Sequence, residues 1–358
     1  MQRALSAPGK LFLAGEYAVL WGGTARIAAV GPRSTALVRR RADRQIHLVL
    51  AEGRLIGDAT PVGVRWRTEV PDGFRFAARA VDECLRAHGS ETLGFDLALS
   101  PSTTGPGGAK LGLGGSARAA VLASEAARYV LELRVDALKV ALLAHAKAQD
   151  GVGSGGDVAA IFAGGIVRYR RYFVDELVSA SSNATLAAAL ASSWPVDLWR
   201  LPSAPVQLAY AFTHQSASTP RMIAEVERRL SEDERESFVS ESDALGNVLE
   251  EALLRGDFSI LRQTTAELQA LLARLGDLET ENTRRVLALV RTHGCAGKIS
   301  GAGGGDGCIV FAPDPEARAA ALEALSARGF RALPVEVEPG LRGEAAPDPA
   351  LAKWLKGS

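Results

Sequence analysis

The chain has 358 residues, 47% of them apolar and 23% charged, which is enough to bury more than one substantial core. Lys plus Arg and Asp plus Glu each number 41, so the formal net charge is zero and no global field draws the chain to nucleic acid or to an anionic membrane. Cys84, Cys295 and Cys308 are widely spaced and form no C-x-x-C, which argues against a disulfide framework or a zinc site and for a reducing compartment.

The first residues, Met1 to Gly9, hold no long apolar run, so no signal peptide is expected. Nor does any segment reach membrane-spanning length, and the expectation is a soluble, cytoplasmic protein. Leu11-Phe12-Leu13 reads as a short strand, with Lys10 at its entrance and Gly15-Glu16-Tyr17 at its exit. A lysine there either snorkels to solvent or is aimed into a site. Alternating strands follow through Val64, and the cluster Arg39-Arg40-Arg41 with Arg44 reads as the solvated end of one of them. Helical periodicity runs from about Phe74 to His88, and Phe95 to Leu99 returns to strand.

Next comes the stretch Lys110-Leu-Gly112-Leu113-Gly114-Gly115-Ser116-Ala117, followed by an Ala-rich helical run to Leu131. Glycines let a backbone approach a ligand closely, and the helix start offers free N–H groups and the positive end of a dipole. The pair suits a phosphate. Ser116 either caps the helix or offers its hydroxyl to a metal, and Lys110 adds a positive charge at the mouth. The P-loop string is absent. Gly112, Gly114 and Ala117 spell the dinucleotide fingerprint, with Glu132 20 residues beyond Gly112. That fingerprint follows a strand directly, whereas here Pro101 to Gly108 is a loop, so the dinucleotide reading fails on context.

Val135 to Gln149 is a second amphipathic helix, ending in Asp150-Gly-Val-Gly-Ser154-Gly155-Gly-Asp157. Asp157 is either a helix cap or a carboxylate held in a glycine-lined cleft. The Ala/Ser-rich stretch before Trp194-Pro195 suggests a boundary between a domain of residues 1–195 and one of residues 196–358. Val206 to Phe212 reads as a strand, and Pro220 suits the start of the helices that run to about His293. A third string, Ser300-Gly301-Ala302-Gly303-Gly304-Gly305-Asp306-Gly307-Cys308, holds five glycines in the seven positions 301–307 and enters the strand Ile309–Phe311. A helix from Pro315 to Arg328 and a strand from Arg331 to Val337 give a βαβ-like tail, and the last residues are expected to fray.

In this order the three strings resemble the GHMP kinase superfamily, which includes galactokinase, homoserine kinase, mevalonate kinase and phosphomevalonate kinase. Pro8-Gly-Lys10 through Gly15-Glu16-Tyr17 is similar to its first motif, Lys110 to Ala117 to its second, and Ser300 to Asp306 to its third. Tyr17, Lys110, the Gly-Ser-Gly-x-Asp turn ending at Asp157, Ala217-Ser218-Thr219 and Asp306 are most similar to the phosphomevalonate kinase branch. Gly115 replaces the first Ser of the second motif, and Gly307-Cys308 reverses the usual order. Ala146 stands where mevalonate kinases carry a magnesium-binding Glu.

The resemblance implies an α+β fold of two domains, the first like ribosomal protein S5 domain 2 and the second ferredoxin-like. It implies ATP and Mg²⁺ as cofactors and a small-molecule acceptor, first 5-phosphomevalonate, then mevalonate or another alcohol. A non-catalytic ligand sensor is disfavoured by the pair Lys10 and Asp157. On this reading Lys10 and Asp157 are catalytic. Lys110, Gly112, Leu113, Gly114, Gly115, Ser116 and Ala117 bind ATP, Ser116 also serving the metal. Tyr17, Ser154, Gly155, Ser216, Ser300, Gly301, Ala302 and Gly303 line the acceptor pocket.

Overall fold

A computed structural model describes residues 1–100, 111–171, 186–194, 197–202, 205–213, 219–305 and 307–356. Strand β1 (Gln2–Ala14) is 13 residues long, where the sequence suggests a short apolar strand. Its length comes from antiparallel pairing with β2 (Thr24–Arg40), and a register shift between Ala7 and Gly9 absorbs Pro8, which has no N–H to give a ladder. Then come β3 (Gln45–Leu50), β4 (Gly53–Thr60), β5 (Gly63–Trp66), helix α1 (Arg75–His88) and β6 (Phe95–Leu99). Helices α2 (Gly115–Val130), α3 (Ala137–Ala148) and α4 (Gly156–Ala163) precede β7 (Ile166–Arg170) and β8 (Asp197–Arg200).

The first sheet has the order β13-β1-β2-β6-β3-β4-β5, with β7 beside the start of β2 and β8 beside β7. Its inner face is covered by α1 to α4 through an Ala- and Leu-rich core that includes Leu5, Leu48, Leu97, Val121 and Leu142. Arg39 and Arg41 at the end of β2 are ion-paired rather than merely solvated: buried Asp96 accepts from them at 2.8 and 2.7 Å.

The second sheet, β10-β11-β9-β12, is antiparallel throughout, with β9 at Gln207–Phe212, β10 at Ala296–Ile299, β11 at Gly307–Ala312 and β12 at Arg331–Val335. The helix Pro315–Ala327 joins β11 to β12, and β9 is inserted between the two strands it connects. The expected βαβ-like tail is thus a split one. The chain stays in the first sheet through β8, beyond residue 195, and returns to it with β13 (Arg342–Glu344), which pairs with β1. Residues 349–356 do not fray, and the last two residues, 357 and 358, lie outside the described residues. Pro349–Lys356 is a helix whose Leu351 and Leu355 are buried against Ala4, Leu37, Val49 and Ala98.

The halves share apolar cores. Leu11 and Leu13 of β1 pack with Tyr210, Phe212 and Phe311, and Tyr17 and Ala18 pack with Ile223, Phe238 and Leu271. Among the described residues no helix is long and apolar enough to cross a membrane.

Candidate active site

The loop before α2 needs its glycines. Gly112 and Gly114 have φ of 71° and 80°, in the left-handed region that side chains avoid. The first ladder bond of α2 runs from Arg118 N to Gly114 O at 3.0 Å, which leaves the N–H groups of Gly115, Ser116 and Ala117 outside the helix ladder. Lys10 N donates to Leu113 O at 3.2 Å and ties β1 to this loop. A Cβ on Gly114 would stand 3.0 Å from Lys10 Cγ and 3.2 Å from Ile161 Cδ1. The absent side chain is therefore the space through which the lysine stem passes.

Lys10 does not snorkel away. It lines a cavity of about 420 Å³ together with Gly112 to Ser116, Tyr17, Ser154 and Asp157. Leu50, Phe76, Leu99 and Leu122 add apolar surface to the cavity lining, and Gly301 and Ala302 reach it from the second half.

Asp157 is the second residue of α4, whose N-cap position belongs to Gly155, so the carboxylate is not the helix cap. Its Oδ1 accepts from Val158 N at 2.9 Å, and its Oδ2 lies 3.8 Å from His145 Nε2. The turn before it is held from both sides. Ser154 Oγ accepts from Gly156 N at 3.2 Å, and Tyr169 donates to Ser154 O at 2.7 Å. Arg171 donates to Gly151 O at 3.0 Å and to Leu20 O at 3.3 Å.

Tyr17 adopts φ 62°, a strained value for a bulky residue, and its hydroxyl donates to Ala302 O at 2.6 Å. Burial, helped by the Glu16 and Glu225 carboxylates, pushes this phenol above its ordinary range and keeps it a donor. Glu16 and Lys298 form a fully buried ion pair just beneath, and Lys298 Nζ also donates to Ile299 O at 2.6 Å. Breaking such a pair leaves an uncompensated buried charge, so it ties the first string to the strand that leads into the third.

Three expected site residues take other work, and Ala117 offers a ligand its backbone alone. Ser300 Oγ accepts from Phe12 N at 2.8 Å, is 6% exposed, and joins the halves instead of lining the cavity. Gly303 lies against Leu278, where a Cβ would come within 2.9 Å of the leucine Cβ. Gly155 faces Leu142 and Tyr169, and the Ala117 side chain is wholly buried. Lys110, Ser216 and Asp306 lie outside the described residues.

His145 was not singled out from the sequence. It lines the cavity, with Nε2 3.4 Å from Ser116 Oγ and its ring centroid 5.0 Å from that of Phe76. Burial holds its imidazole below the ordinary range, Asp157 opposing this and Lys10 reinforcing it. The one signal available was its spacing. His145 and Gln149 stand four apart at the end of α3, and both face the cavity. Ala146, by contrast, is buried away from it.

The donor set fits a nucleotide with Mg²⁺. The Gly114 cradle and three unladdered N–H groups suit phosphate oxygens. Among the described residues no three His, Cys, Asp or Glu side chains cluster as a metal cage. Mg²⁺ does not need one, because it keeps waters and phosphate oxygens and takes one or two protein oxygens; the Ser116 hydroxyl expected to serve it lines the cavity, and the Asp157 carboxylate there is another oxygen of that kind.

Fold and site together define the class, an enzyme that transfers a phosphoryl group to a small molecule. Residues 75–165 match the model of the GHMP kinases N terminal domain and residues 249–331 that of the GHMP kinases C terminal region. A phosphomevalonate kinase of Streptomyces sp. (strain CL190) is 31% identical over 343 residues, which span 87% of this chain and 90% of that protein. The chain belongs to the GHMP kinase family. Solved structures share its fold. The Lin0012 protein of Listeria innocua superposes with a TM-score of 0.86 at 23% identity, over 97% of this chain and 100% of that one. The phosphomevalonate kinase of Streptococcus pneumoniae, in complex with phosphomevalonate and AMPPNP, gives 0.80 at 22% identity over 94% and 99%.

Proposed function

We propose that the protein is an ATP- and Mg²⁺-dependent phosphomevalonate kinase, converting 5-phosphomevalonate to 5-diphosphomevalonate. One observation carries the chemistry. Lys10, Ser116 and Asp157 come from three distant parts of the chain and face one cavity at the N-terminus of α2. The named acceptor is supported by the Streptomyces relative, which matches along nine-tenths of its length.

In the reaction an acceptor phosphate oxygen bonds to the γ-phosphorus of ATP while the bond to the β-phosphate oxygen breaks, and ADP leaves. Such a transfer has a loose transition state, so positioning and charge neutralisation matter most. The cradle of Gly112 to Ala117 holds the β- and γ-phosphates, with Lys110 a further cation beside it. Mg²⁺, when bound through Ser116 and Asp157, supplies neutralising charge. Lys10 bridges the acceptor oxygen and the moving phosphoryl group. The acceptor is already ionised, so Asp157 serves by placing it against Lys10 rather than as a strong base. Tyr17, Ser154, Gly301 and Ala302 touch the acceptor, Ser216 adds a hydroxyl, and Gly155, Ser300 and Gly303 shape the pocket from behind. Residues 1–195 form most of the nucleotide-holding half, to which β8, β13 and the last helix also belong, and the remainder of residues 196–358 forms the other half. A cytoplasmic setting suits the three buried free cysteines.

The test compares kcat/KM for 5-phosphomevalonate and for mevalonate at saturating ATP and Mg²⁺. A site built for two anionic groups leaves its cations unpaired around a neutral hydroxyl, so a preference of roughly 10³-fold or more is expected. Equal values, or a preference for mevalonate, would refute this acceptor while leaving the family untouched.

A further inference from the structure

Between Ser116 and Asp157 on the cavity wall stands His145 of α3, 2% exposed. Its Nε2 is 3.4 Å from Ser116 Oγ and 3.8 Å from Asp157 Oδ2. Its Nδ1 is buried and has no hydrogen-bond partner among the described residues.

A neutral imidazole has one N–H and one bare nitrogen, and the bonds available decide which is which. A proton on Nδ1 would be a buried donor with nothing to receive it, a rare and costly state. On Nε2 the same proton has the Ser116 hydroxyl oxygen within hydrogen-bond distance, at 3.4 Å, and the Asp157 carboxylate just beyond it, at 3.8 Å. That choice also removes His145 as a metal ligand, since the nitrogen facing the site has no lone pair to give. The ring packs on Phe76 at an interplanar angle of 33°, a contact that it would lose by swinging away.

The oxygens on either side need such an anchor. Val158 N fixes one oxygen of the Asp157 carboxylate and leaves the other toward His145. When Ser116 Oγ accepts the imidazole proton, its own O–H must turn elsewhere, and one lone pair remains for a cation.

We infer that His145, neutral and with its proton on Nε2, is a positioning residue that orients the Ser116 hydroxyl and the Asp157 carboxylate toward the reacting groups. This rests on the kinase reading of the same cavity. It explains why the last turn of α3 presents an imidazole to the Ser116 hydroxyl and the Asp157 carboxylate.

Two measurements test it. The first is the ¹⁵N spectrum of histidine-labelled, ligand-free protein at neutral pH. The Nε2–H tautomer is expected for His145, and the Nδ1–H tautomer or an imidazolium overturns the inference. The second is kinetic, on variants checked for folding by thermal melting. His145→Leu should lower kcat for 5-phosphomevalonate roughly 10- to 100-fold, as misplacement of reacting groups does, with the KM for ATP changed by less than about threefold. His145→Gln, whose amide nitrogen reaches the place of Nε2, should recover to within about fivefold of the unmodified enzyme. In an Asp157→Asn background the His145→Leu effect should shrink to less than about threefold, the mark of two groups acting as a unit. An equal loss in both backgrounds, or a His145→Gln protein as poor as His145→Leu, shows a merely structural residue. Absence of turnover by the unmodified enzyme instead overturns the acceptor reading, and the tautomer, read without substrate, still decides the role of His145.

Discussion

Two glycine-rich regions look alike in sequence and do different work. Gly112 to Ser116 runs into a helix, so its backbone N–H groups converge on a cavity, and Gly114 leaves room for the Lys10 stem. The stretch from Ser300 to Gly305 runs toward β11, and most of it is spent on joining the halves. Ser300 Oγ takes the N–H of Phe12, Gly303 packs on Leu278, and Gly304 N donates to Leu278 O at 2.8 Å. Within it only Gly301 and Ala302 touch the cavity among the described residues. Glycine density therefore marks close approach, and the element that follows decides whether a ligand or the chain itself approaches.

The largest effect should come from the side chain that the first region makes room for. Lys10→Met removes the cation while keeping the stem, and kcat should fall by roughly 10²- to 10³-fold, the scale of a lost transition-state donor. Steady-state kinetics at saturating substrates measure it. A fall of less than fivefold would place the lysine outside the chemistry.

A pair of alanine substitutions sharpens the contrast. Gly114→Ala puts a Cβ 3.0 Å from Lys10 Cγ at φ 80°, and the strain of about 1–2 kcal/mol should weaken ATP binding roughly tenfold, as read by calorimetry. Gly303→Ala puts a Cβ 2.9 Å from Leu278 Cβ at φ 75°, at a similar distance and in a similar conformation. Its strain of about 1–3 kcal/mol should instead lower Tm by several degrees, with ATP affinity kept within about twofold. Should the two variants behave alike, the distinction between a ligand cradle and a packing loop collapses.

The smallest effect on catalysis is expected at Ser300. Ser300→Ala leaves the buried Phe12 N–H without its 2.8 Å partner, at a stability cost of about 1–3 kcal/mol. Turnover per folded molecule and acceptor KM should stay within about twofold. A large rise in acceptor KM, measured at a temperature where the variant is folded, would return Ser300 to the acceptor pocket.

Sequence alone determined whatever depends on near neighbours. The periodicity of residues 74–88 and 135–149, the glycine-to-helix step at Ser116 and the order of three strings were enough for α1, α2, α3 and the superfamily resemblance, because helix faces and left-handed turns are written within a few positions of themselves. Ser116 and Asp157 stand in the first turns of helices, which local pattern also shows, whereas Lys10 lies inside β1, a strand longer than its local pattern suggests. Tertiary structure decided the rest. That Phe12 and Ser300 bond across 288 residues, that β13 returns to β1, and that the last helix docks on the first sheet are pairings for which local pattern carries no term. His145 belongs with these. In the sequence it is one imidazole on an apolar helix, and only the meeting of α2, α3 and α4 puts its Nε2 between a hydroxyl and a carboxylate and leaves its buried Nδ1 without a partner among the described residues.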